Sequence, residues 1–424
     1  MAKLYPLQGI RYHEKINMKE VITPPYDVIN PEEQKQLYQK SPYNFIHLEY
    51  GYSLPHDSVK DNRYTRASKT FKKWLDEGIL QKDCAPYFYL YQQDFSFYNK
   101  QYSRIGLVAA VALTPYSEKV ILPHERTLSK PKQDRLELLR HCHANFSPIF
   151  SLFEDEHFAF ETLLNNYKIK EKKPVTDFID ENNSRHRLWQ ITSHSCILQI
   201  QGFFDDKQLF IADGHHRYET SLAYYEEQKK RGKEGFDRTL MFLFNLFDKG
   251  ILVLPTHRLI RTTKLNPFKE VLKKLEQYFS IRKYSCQNKP ADYLSFFLQE
   301  LQKKGNINTS FGLYPGGSDF YLCTYLQQDE ELDVNLIQKH LLQECLGIGV
   351  LQLRDNKLVS YHKKPEEALQ LAQDEPGSLA VFLNPPQIKK IIEKMKAGLI
   401  LPQKSTYFYP KLCSGLIINS LDNI

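Results

Sequence analysis

The sequence has few of the features that mark exported, disulfide-bonded or membrane proteins. Its seven cysteines are scattered and none forms a CxxC pair, which argues against a disulfide framework and a structural zinc site. No run approaches the roughly 20 apolar residues that cross a bilayer. The opening residues also lack the apolar core of a secretory signal. We therefore expect a cytoplasmic protein without a membrane partner.

Charge of one sign is not concentrated anywhere in the chain. The 57 Lys and Arg residues are mixed with 50 Asp and Glu residues, for a formal net charge of +7. A net charge this small gives little support to nucleic-acid binding, and the sequence shows no helix-turn-helix pattern with a basic recognition helix. The balance suits a small anionic ligand such as a nucleotide.

The length of 424 residues exceeds one ordinary core, so two domains are expected. In the first, 1–260, aromatic and β-branched runs predict several strands, and the apolar runs 240–247 and 250–254 predict a hairpin. In the second, 261–424, helical and strand patterns form a further α/β unit. Prolines near 402–411 predict a loop that presents Lys404, Ser405 and Thr406.

One helix start is well marked in the first domain. Asn30 is a good cap, Pro31 suits the first helical position, and Glu33 completes a capping-box pattern.

The densest group of reactive side chains is the run Asp213-Gly214-His215-His216-Arg217. It follows a short apolar strand and precedes a predicted helix, and Gly214 permits the tight turn between them. Backbone N–H groups at such a helix start converge on an anion, and the helix dipole adds attraction. Arg217 can bind a phosphate through two N–H groups, and Asp213 can bind Mg²⁺ or orient a histidine. A simple cap needs only one polar side chain, so the run predicts a phosphate site.

A second group, Pro123-His124-Glu125-Arg126, also follows a predicted strand. Open α/β sheets place ligands at such strand ends. Cations at His124 and Arg126 would keep the Glu125 carboxylate ionised, which suits a base that takes a proton from an alcohol. A surface ion pair is the alternative.

Three weaker candidates remain open. His257 and Arg258 follow a strand and either line the same cleft or form a structural turn. Asp27 either reaches the site or fixes its own Pro-Pro turn. The run His141-Cys142-His143 suggests a metal site, but neighbouring helix positions point apart, which favours a helix surface.

The motifs resemble those of a large prokaryotic family, domain of unknown function 1015, over nearly the whole chain. They are Pro24-Pro-Tyr-Asp-Val-Ile29, Leu122-Pro-His-Glu-Arg-Thr-Leu-Ser-Lys130, Ala144-Asn-Phe-Ser-Pro-Ile149, Ile211-Ala-Asp-Gly-His-His-Arg-Tyr-Glu-Thr220, Leu254-Pro-Thr-His-Arg258 and Lys404-Ser-Thr-Tyr-Phe-Tyr-Pro410. Three short islands are also similar to the free serine kinases of the ParB/sulfiredoxin fold: Pro123 to Glu125, Asp213 to Arg217, and Lys404 to Thr406. The interval between the first two islands is longer here, and an N-terminal segment of roughly 100 residues has no counterpart in those kinases.

The kinase resemblance implies a fold and an activity. The fold would be α+β (mixed α/β), with a ParB/sulfiredoxin-like catalytic core, an N-terminal extension and a second α/β domain. The activity would be phosphoryl transfer from ATP or ADP, with Mg²⁺, to the hydroxyl of free L-serine. The implied roles are catalysis by Glu125, His124, Asp213 and His216, with Asp213 on the metal; phosphate binding by Gly214, His215, His216, Arg217 and Arg126; and substrate binding by Lys404, Ser405, Thr406, His257 and Arg258.

Two other classes of function compete with a kinase. A ParB-like switch would bind and hydrolyse a nucleotide without a small-molecule acceptor, but the Pro-His-Glu group would then have no role. A metal-dependent hydrolase could use His124, His215 and His216, but no HExxH arrangement supports it.

Overall fold

A computed structural model describes residues 1–125, 127, 129–261, 268–287, 289–327, 331–349, 352, 358–402 and 404–422. The chain is a mixed α/β protein, as predicted, and divides into two units. The first unit comprises Met1–Leu252, Lys394–Gly398 and Pro410–Ile424; the second comprises Val253–Glu393 and Leu399–Tyr409. Within the described ranges, no helix combines the length and apolarity needed to cross a membrane.

A nine-stranded sheet forms the centre of the first unit. Its strands follow the order Ile121–Leu122, Leu209–Asp213, Ile149–Phe153, Arg238–Asn245, Lys100–Ala112, Phe88–Phe97, Arg185–Ile191 and Thr176–Ile179, and Leu4–Tyr5 also pairs with Lys100–Ala112. Two pairings are parallel: Ile121–Leu122 with Leu209–Asp213, and Ile149–Phe153 with Arg238–Asn245. Two short ribbons, Ile10–Tyr12 with Leu80–Lys82 and Ala144–Asn145 with Asn419–Ser420, lie outside this sheet.

Some helices of the first unit pack against the sheet, and others form part of the N-terminal segment. They are Met18–Val21, Pro31–Lys40, Ile46–Glu49, Arg63–Asp76, Ser129–Cys142, Ala159–Asn166, His194–Phe204 and His215–Lys230, with short 3-10 turns at Tyr26–Val28, Tyr116–Glu118 and Ile169–Glu171. Phe160, Ile200 and Tyr218 pack into one apolar core with Leu107 and Met241 of the sheet. Burial of this shared apolar surface is the main force that joins helices to sheet.

The predicted helix start at Asn30 is confirmed. The Asn30 side chain accepts a hydrogen bond from the Glu33 N–H at 2.9 Å, and the Asn30 N–H donates to Glu33 Oε2 at 2.9 Å. This reciprocal pair is a capping box, which satisfies two donors that a helix end would otherwise leave unpaired.

The last part of the chain returns to the first unit. Asn419–Ser420 pairs with Ala144–Asn145, and Ile418 forms a bridge to Ile10. Ile417 and Ile418 are each 1% exposed. The predicted second domain of 261–424 included this segment, whereas the structure assigns Pro410–Ile424 to the first unit because its apolar residues are buried there.

The second unit is built on a six-stranded antiparallel sheet. Its strands follow the order Phe279–Ser285, Asp319–Tyr325, Ser310–Tyr314, Ser378–Leu383, His257–Arg261 and Val359–His362. Its helices are Phe268–Leu275, Pro290–Gly305, Asp333–Leu336, the π-helical Ile337–Cys345 and Pro365–Asp374, followed by Ile388–Lys396. Leu259, Phe297, Phe320 and Phe382 belong to the apolar core on one face of this sheet.

The predicted hairpin of 240–247 with 250–254 is wrong. Arg238–Asn245 has both edges occupied, by Lys100–Ala112 and by Ile149–Phe153. Leu252–Leu254 therefore pairs elsewhere, with Tyr407–Tyr409 in a two-stranded ribbon.

Candidate functional site

Two parallel strands bring the two reactive runs of the first unit together. Leu209 and Phe210 pair in parallel with Ile121 and Leu122, so both strands end at the same edge of the sheet. The His124 N–H donates a hydrogen bond to His215 Nε2 at 3.2 Å, and the two imidazole rings lie 4.6 Å apart. The loop that carries Glu125 therefore meets the turn that begins at Asp213.

Both of these histidines are neutral. His124 Nδ1 donates to the Ile211 carbonyl at 2.8 Å, and His215 Nε2 accepts from His124, so each ring has a defined tautomer. Burial lowers the pKa of His124 to about 4 and lowers the pKa of His215 well below its ordinary value. The expectation that a His124 cation keeps Glu125 ionised is therefore wrong, because a buried imidazole remains uncharged at neutral pH. His124 instead positions the loop.

Gly214 shapes the turn before the helix His215–Lys230. Its φ of +97° is unfavourable for other residues, and a Cβ there would lie 3.0 to 3.1 Å from atoms of the Arg217 guanidinium. Gly214 provides no side-chain cap for this helix start, as in the glycine turns that precede anion-binding helices.

The Arg217 guanidinium folds back over this glycine. Nη2 donates to Asp213 Oδ2 at 2.8 Å, and Nη1 donates to the Pro148 carbonyl. Its side chain is 10% exposed. Arg217 thus holds the turn in shape as well as adding positive charge near the helix N-terminus.

Asp213 lies between two cations. Lys411 Nζ donates to Asp213 Oδ1 at 2.8 Å, while Arg217 binds the other oxygen. Burial would raise the pKa of Asp213, but Lys411 and Arg217 outweigh burial and hold the pKa well below its ordinary value. Lys411 was missed from the sequence, although it directly follows the run Lys404 to Pro410 that the family resemblance includes.

A buried arginine anchors the segment that carries Lys411. Arg104 Nη2 donates to the Pro410 carbonyl at 2.7 Å and to Gln93 Oε1 at 2.6 Å. Further along, Ser414 Oγ lies 3.0 Å from Ser147 Oγ. These contacts fix the backbone on both sides of Lys411, so its ammonium group is held at Asp213 with little freedom.

Glu125 lies on the loop between Ile121–Leu122 and the helix Ser129–Cys142, and its side chain is partly exposed. The same loop is tied to the helix His215–Lys230, because Glu219 Oε2 accepts from Thr127 Oγ1 at 2.6 Å and from Lys132 Nζ at 2.9 Å. Arg126, predicted to bind phosphate, lies outside the described residues.

The N-terminal motif reaches the same turn. Asp27 is exposed and close enough to act electrostatically on His216 and Arg217. Burial lowers the pKa of His216, and Glu219 and Asp27 oppose that shift. Of the two alternatives for Asp27, the structure thus favours proximity to the site.

The sequence did not predict a buried network of Glu49, Arg135 and Ser147, which lies next to Arg217 of the turn. Arg135 Nη1 donates to Glu49 Oε1 at 3.1 Å, and Ser147 also donates to Glu49. With Arg217, these residues line a cavity of about 40 Å³, which has room for a few water molecules and not for a substrate. Glu49 and Arg135 are 86 residues apart along the chain, and neither belongs to a predicted motif, so no local signal marked the pair.

Five predicted substrate-binding residues lie in the second unit. His257 is 3% exposed, and its Nδ1 accepts from the Leu383 N–H at 3.2 Å. Burial lowers the pKa of His257 to about 4, so it is a neutral structural residue of the sheet. Arg258, next to it, is 1% exposed.

The remaining three belong to the segment before the strand Tyr407–Tyr409. Lys404 is exposed, has a left-handed φ of +55°, and holds its Nζ 5.1 Å from the centre of the Tyr361 ring. Ser405 is buried and donates to the Pro402 carbonyl at 2.5 Å. Thr406 is partly exposed.

The residues present do not offer Mg²⁺ a ready site at Asp213. Both of its oxygens accept hydrogen bonds from cations, Lys411 and Arg217. Among the residues that the structure describes, no group of three or more His, Cys, Asp or Glu side chains is arranged to hold a metal ion. This includes His141 to His143, where His141 binds the Glu137 carbonyl and His143 binds Asp422.

Comparison with known families matches residues 4–343 to the family described as "Protein of unknown function (DUF1015)". None of the curated proteins compared with the chain matches it.

Several solved structures are similar to the chain. A free serine kinase in complex with AMP has 13% identity and a TM-score of 0.36, and the match covers 72% of this chain and 86% of that one. A conserved hypothetical protein from Pyrococcus furiosus has 14% identity and a TM-score of 0.34, with coverage of 74% and 95%. SbnI with a C-terminal truncation, from Staphylococcus aureus, has 10% identity and a TM-score of 0.35, with coverage of 72% and 85%.

Proposed function

The chain belongs to the DUF1015 family of proteins of unknown function, and we propose that it is a nucleotide-dependent kinase for a small hydroxy compound, with free L-serine as the acceptor. One observation carries the proposal: the hydrogen bond from the His124 N–H to His215 Nε2, which joins the Glu125 loop to an uncapped helix N-terminus. A carboxylate and an anion-binding turn then lie at one edge of one sheet, as phosphoryl transfer to an alcohol requires.

The helix start at His215 suits the phosphates of ATP or ADP. Its first N–H groups and the helix dipole attract a phosphate, and Gly214 leaves the backbone accessible. Lys411 and Arg217 add two positive charges beside the turn. Asp213 holds both cations in place, so they need little reorganisation when charge develops on the transferred phosphoryl group.

Glu125 is the proposed base. It takes the proton of the acceptor hydroxyl while the hydroxyl oxygen bonds to the terminal phosphorus of the nucleotide. The bond from that phosphorus to its bridging oxygen breaks, so the nucleotide leaves one phosphate shorter and the product is a phosphate monoester. Positioning supplies much of the rate, because phosphoryl transfer asks little covalent chemistry of the protein.

The roles of the other predicted residues differ in kind. His124 and His215 act by holding the two loops together as neutral rings, and His216 adds a partly buried imidazole beside Arg217. No step of the transfer is assigned to Lys404, Thr406 or Arg258, which belong to the second unit. No step is assigned to Mg²⁺, because Asp213 is already bound by two cations.

Product analysis tests the proposal directly. Protein is mixed with ATP or ADP, MgCl₂ and L-serine, and O-phosphoserine is measured by ³¹P NMR. We expect O-phosphoserine from the wild-type protein and none from Glu125→Gln, which keeps the shape of the side chain but cannot accept the proton. Glu125→Gln should bind nucleotide as tightly as the wild type in calorimetry.

Two results would end the proposal. Full turnover by Glu125→Gln would remove the base assignment. Loss of nucleoside triphosphate at the same rate with and without any hydroxy acceptor would instead identify a hydrolysing switch protein.

A further inference from the structure

Two arginines stand out among the fully buried side chains, and they differ in one respect. Arg104 and Arg258 are 0% and 1% exposed. Arg104 donates to Gln93 and to the Pro410 carbonyl, and its guanidinium lies 5.0 Å from the centres of the Phe150 and Phe244 rings. Arg258 lies in the strand His257–Arg261 of the second unit, and among the described residues its Nε and Nη1 have no hydrogen-bond partner, whereas Arg104 leaves only its Nη1 without one.

A buried guanidinium whose Nε and Nη1 have no hydrogen-bond partner among the described residues destabilises the folded protein. A buried charge without a paired acid carries a desolvation penalty of several kcal/mol, and each unpaired donor adds to it. Asp333 and Arg258 act on each other electrostatically, but among the described residues no hydrogen bond or ion pair joins them. A ligand that supplied acceptors to these donors would remove the penalty.

The neighbours of Arg258 favour a negatively charged ligand. Thr256, two residues earlier, is 8% exposed and its hydroxyl also has no partner among the described residues. Across the sheet, Tyr361 pairs with Arg258, and its ring centre lies 5.8 Å from the Arg258 Cζ and 5.1 Å from the Lys404 Nζ. Two cations therefore flank one aromatic ring, and Thr256, two residues before Arg258 in the chain, has a hydroxyl without a partner among the described residues.

We propose that the second unit contains an oxyanion-binding site in which Arg258 and Thr256 hold a carboxylate or phosphate group. The planar guanidinium donates from adjacent N–H groups to two oxygens of such a group, and this paired geometry is strong where water is excluded. Tyr361 forms one wall of the site and Lys404 adds positive charge beyond it. The site lies wholly in the second unit and does not depend on the proposed reaction.

The burial of Arg258 limits the size of the ligand that can bind to it. Only a small group fits against a side chain that is 1% exposed, and entry requires a local opening. We therefore expect slow association, with saturation at millimolar concentrations of a free oxyanion.

The test compares Arg258→Met with Arg104→Met in the full chain. If Arg258 is held for a ligand, its removal should raise the melting temperature of the ligand-free protein by about 2 °C or more, because an unpaired buried charge is replaced by an apolar side chain. Inorganic phosphate and L-serine are then added separately at increasing concentration. We expect the wild type to be stabilised by at least one of them and Arg258→Met to need at least tenfold more for the same shift.

The controls separate this site from the first unit and from the kinase. Arg104→Met should lower the melting temperature and keep the Arg258-dependent response, since Arg104 is paired within the fold. Glu125→Gln should keep that response even if transfer is lost. Thr256→Val should weaken it while the circular dichroism spectrum stays that of the wild type.

Each outcome decides the matter. A response to phosphate alone identifies a phosphate group as the ligand, and a response to L-serine alone identifies a carboxylate. The proposal is overturned if Arg258→Met melts lower than the wild type without added anion. It is also overturned if phosphate and L-serine shift both proteins equally or shift neither.

Discussion

Lys411 donates a hydrogen bond from its Nζ to Oδ1 of Asp213 at 2.8 Å, although 198 residues separate the two along the chain. Arg217 binds the other oxygen of the same carboxylate. Asp213 therefore organises two cations beside the N-terminus of the helix His215–Lys230. If phosphate binds at this turn as proposed, it meets two cations that are already positioned.

Replacing Lys411 tests that arrangement. We expect Lys411→Met to lower the free energy of unfolding by about 1–3 kcal/mol, because a buried carboxylate loses a charged donor. The proposed transfer should slow by roughly 10- to 100-fold, the range expected for one lost charge-assisted contact. Urea denaturation and initial rates measure the two effects. Lys411→Arg should recover most of the stability, and an unchanged midpoint in Lys411→Met would refute the structural role.

The turn glycine has a matched control elsewhere in the chain. Gly214 and Gly78 both have a left-handed φ, +97° and +72°, but only at Gly214 would a Cβ meet Arg217 atoms at 3.0 to 3.1 Å. We expect Gly78→Ala to cost about 1 kcal/mol of unfolding free energy from its backbone alone. Gly214→Ala should cost roughly 1 kcal/mol more, because the guanidinium must shift away from Asp213. Equal losses in urea denaturation would show that the Arg217 contact adds nothing.

Glu219 offers a way to loosen the loop of the proposed base without touching the phosphate turn. It accepts from both Thr127 and Lys132. Glu219→Ala should lower kcat by about 10-fold or more, because small errors in position are costly in transfer reactions. The nucleotide dissociation constant should stay within about twofold, since the helix N-terminus is unchanged. Glu219→Gln, which can still accept from Thr127, should retain more of the rate, and equal rates in the two variants would contradict this account.

The buried histidines predict how stability changes with pH. The pKa of His124 is about 4 in the folded protein against 6.5 as the ordinary value, so the unfolded chain takes up a proton first as the pH falls. Above pH 6.5 both states are neutral at this residue and it adds no pH dependence. Between pH 6.5 and 4 the unfolding free energy should fall, by roughly 3 kcal/mol from His124 alone at the lower limit.

Urea denaturation at several pH values measures this slope. His124→Gln should flatten it in part, because His257 and His215 also have lowered pKa values and keep their own shares. A free energy of unfolding that is constant from pH 6.5 to 4.5 would show that His124 is not buried as a neutral ring.

Local features of the fold were accessible from the sequence because each depends on residues close together along the chain. The Asn30 capping box needs only positions 30 to 33. The strand Leu209–Asp213, the glycine turn and the helix His215–Lys230 follow one another directly, and the predicted positions agree with the structure. The parallel pairing of Leu209 with Ile121 brings the ends of the two motif-bearing strands to one edge of the sheet.

Long-range pairing was not accessible in the same way. The short strand Leu252–Leu254 has the apolar pattern of a hairpin arm, but its partner is Tyr407–Tyr409, because nearer edges are occupied. In the sequence, Lys411 has no feature that distinguishes it from an exposed lysine. Its position depends on the hydrogen bond from Arg104 to the Pro410 carbonyl, a contact between distant parts of the chain. The charge state of His124 likewise depends on burial by the whole unit, which a local motif does not encode.

The return of Pro410–Ile424 to the first unit has a consequence for synthesis. A ribosome makes Asp213 early but makes Lys411 only after it has translated the second unit. The sheet of the first unit can therefore form during translation. Asp213 gains its contact with Lys411 only when synthesis of the chain is nearly complete. A chain released after the sheet of the first unit but before residue 411 would lack Lys411, so Arg217 would be the cation left at Asp213 from the pair that holds it in the full-length protein.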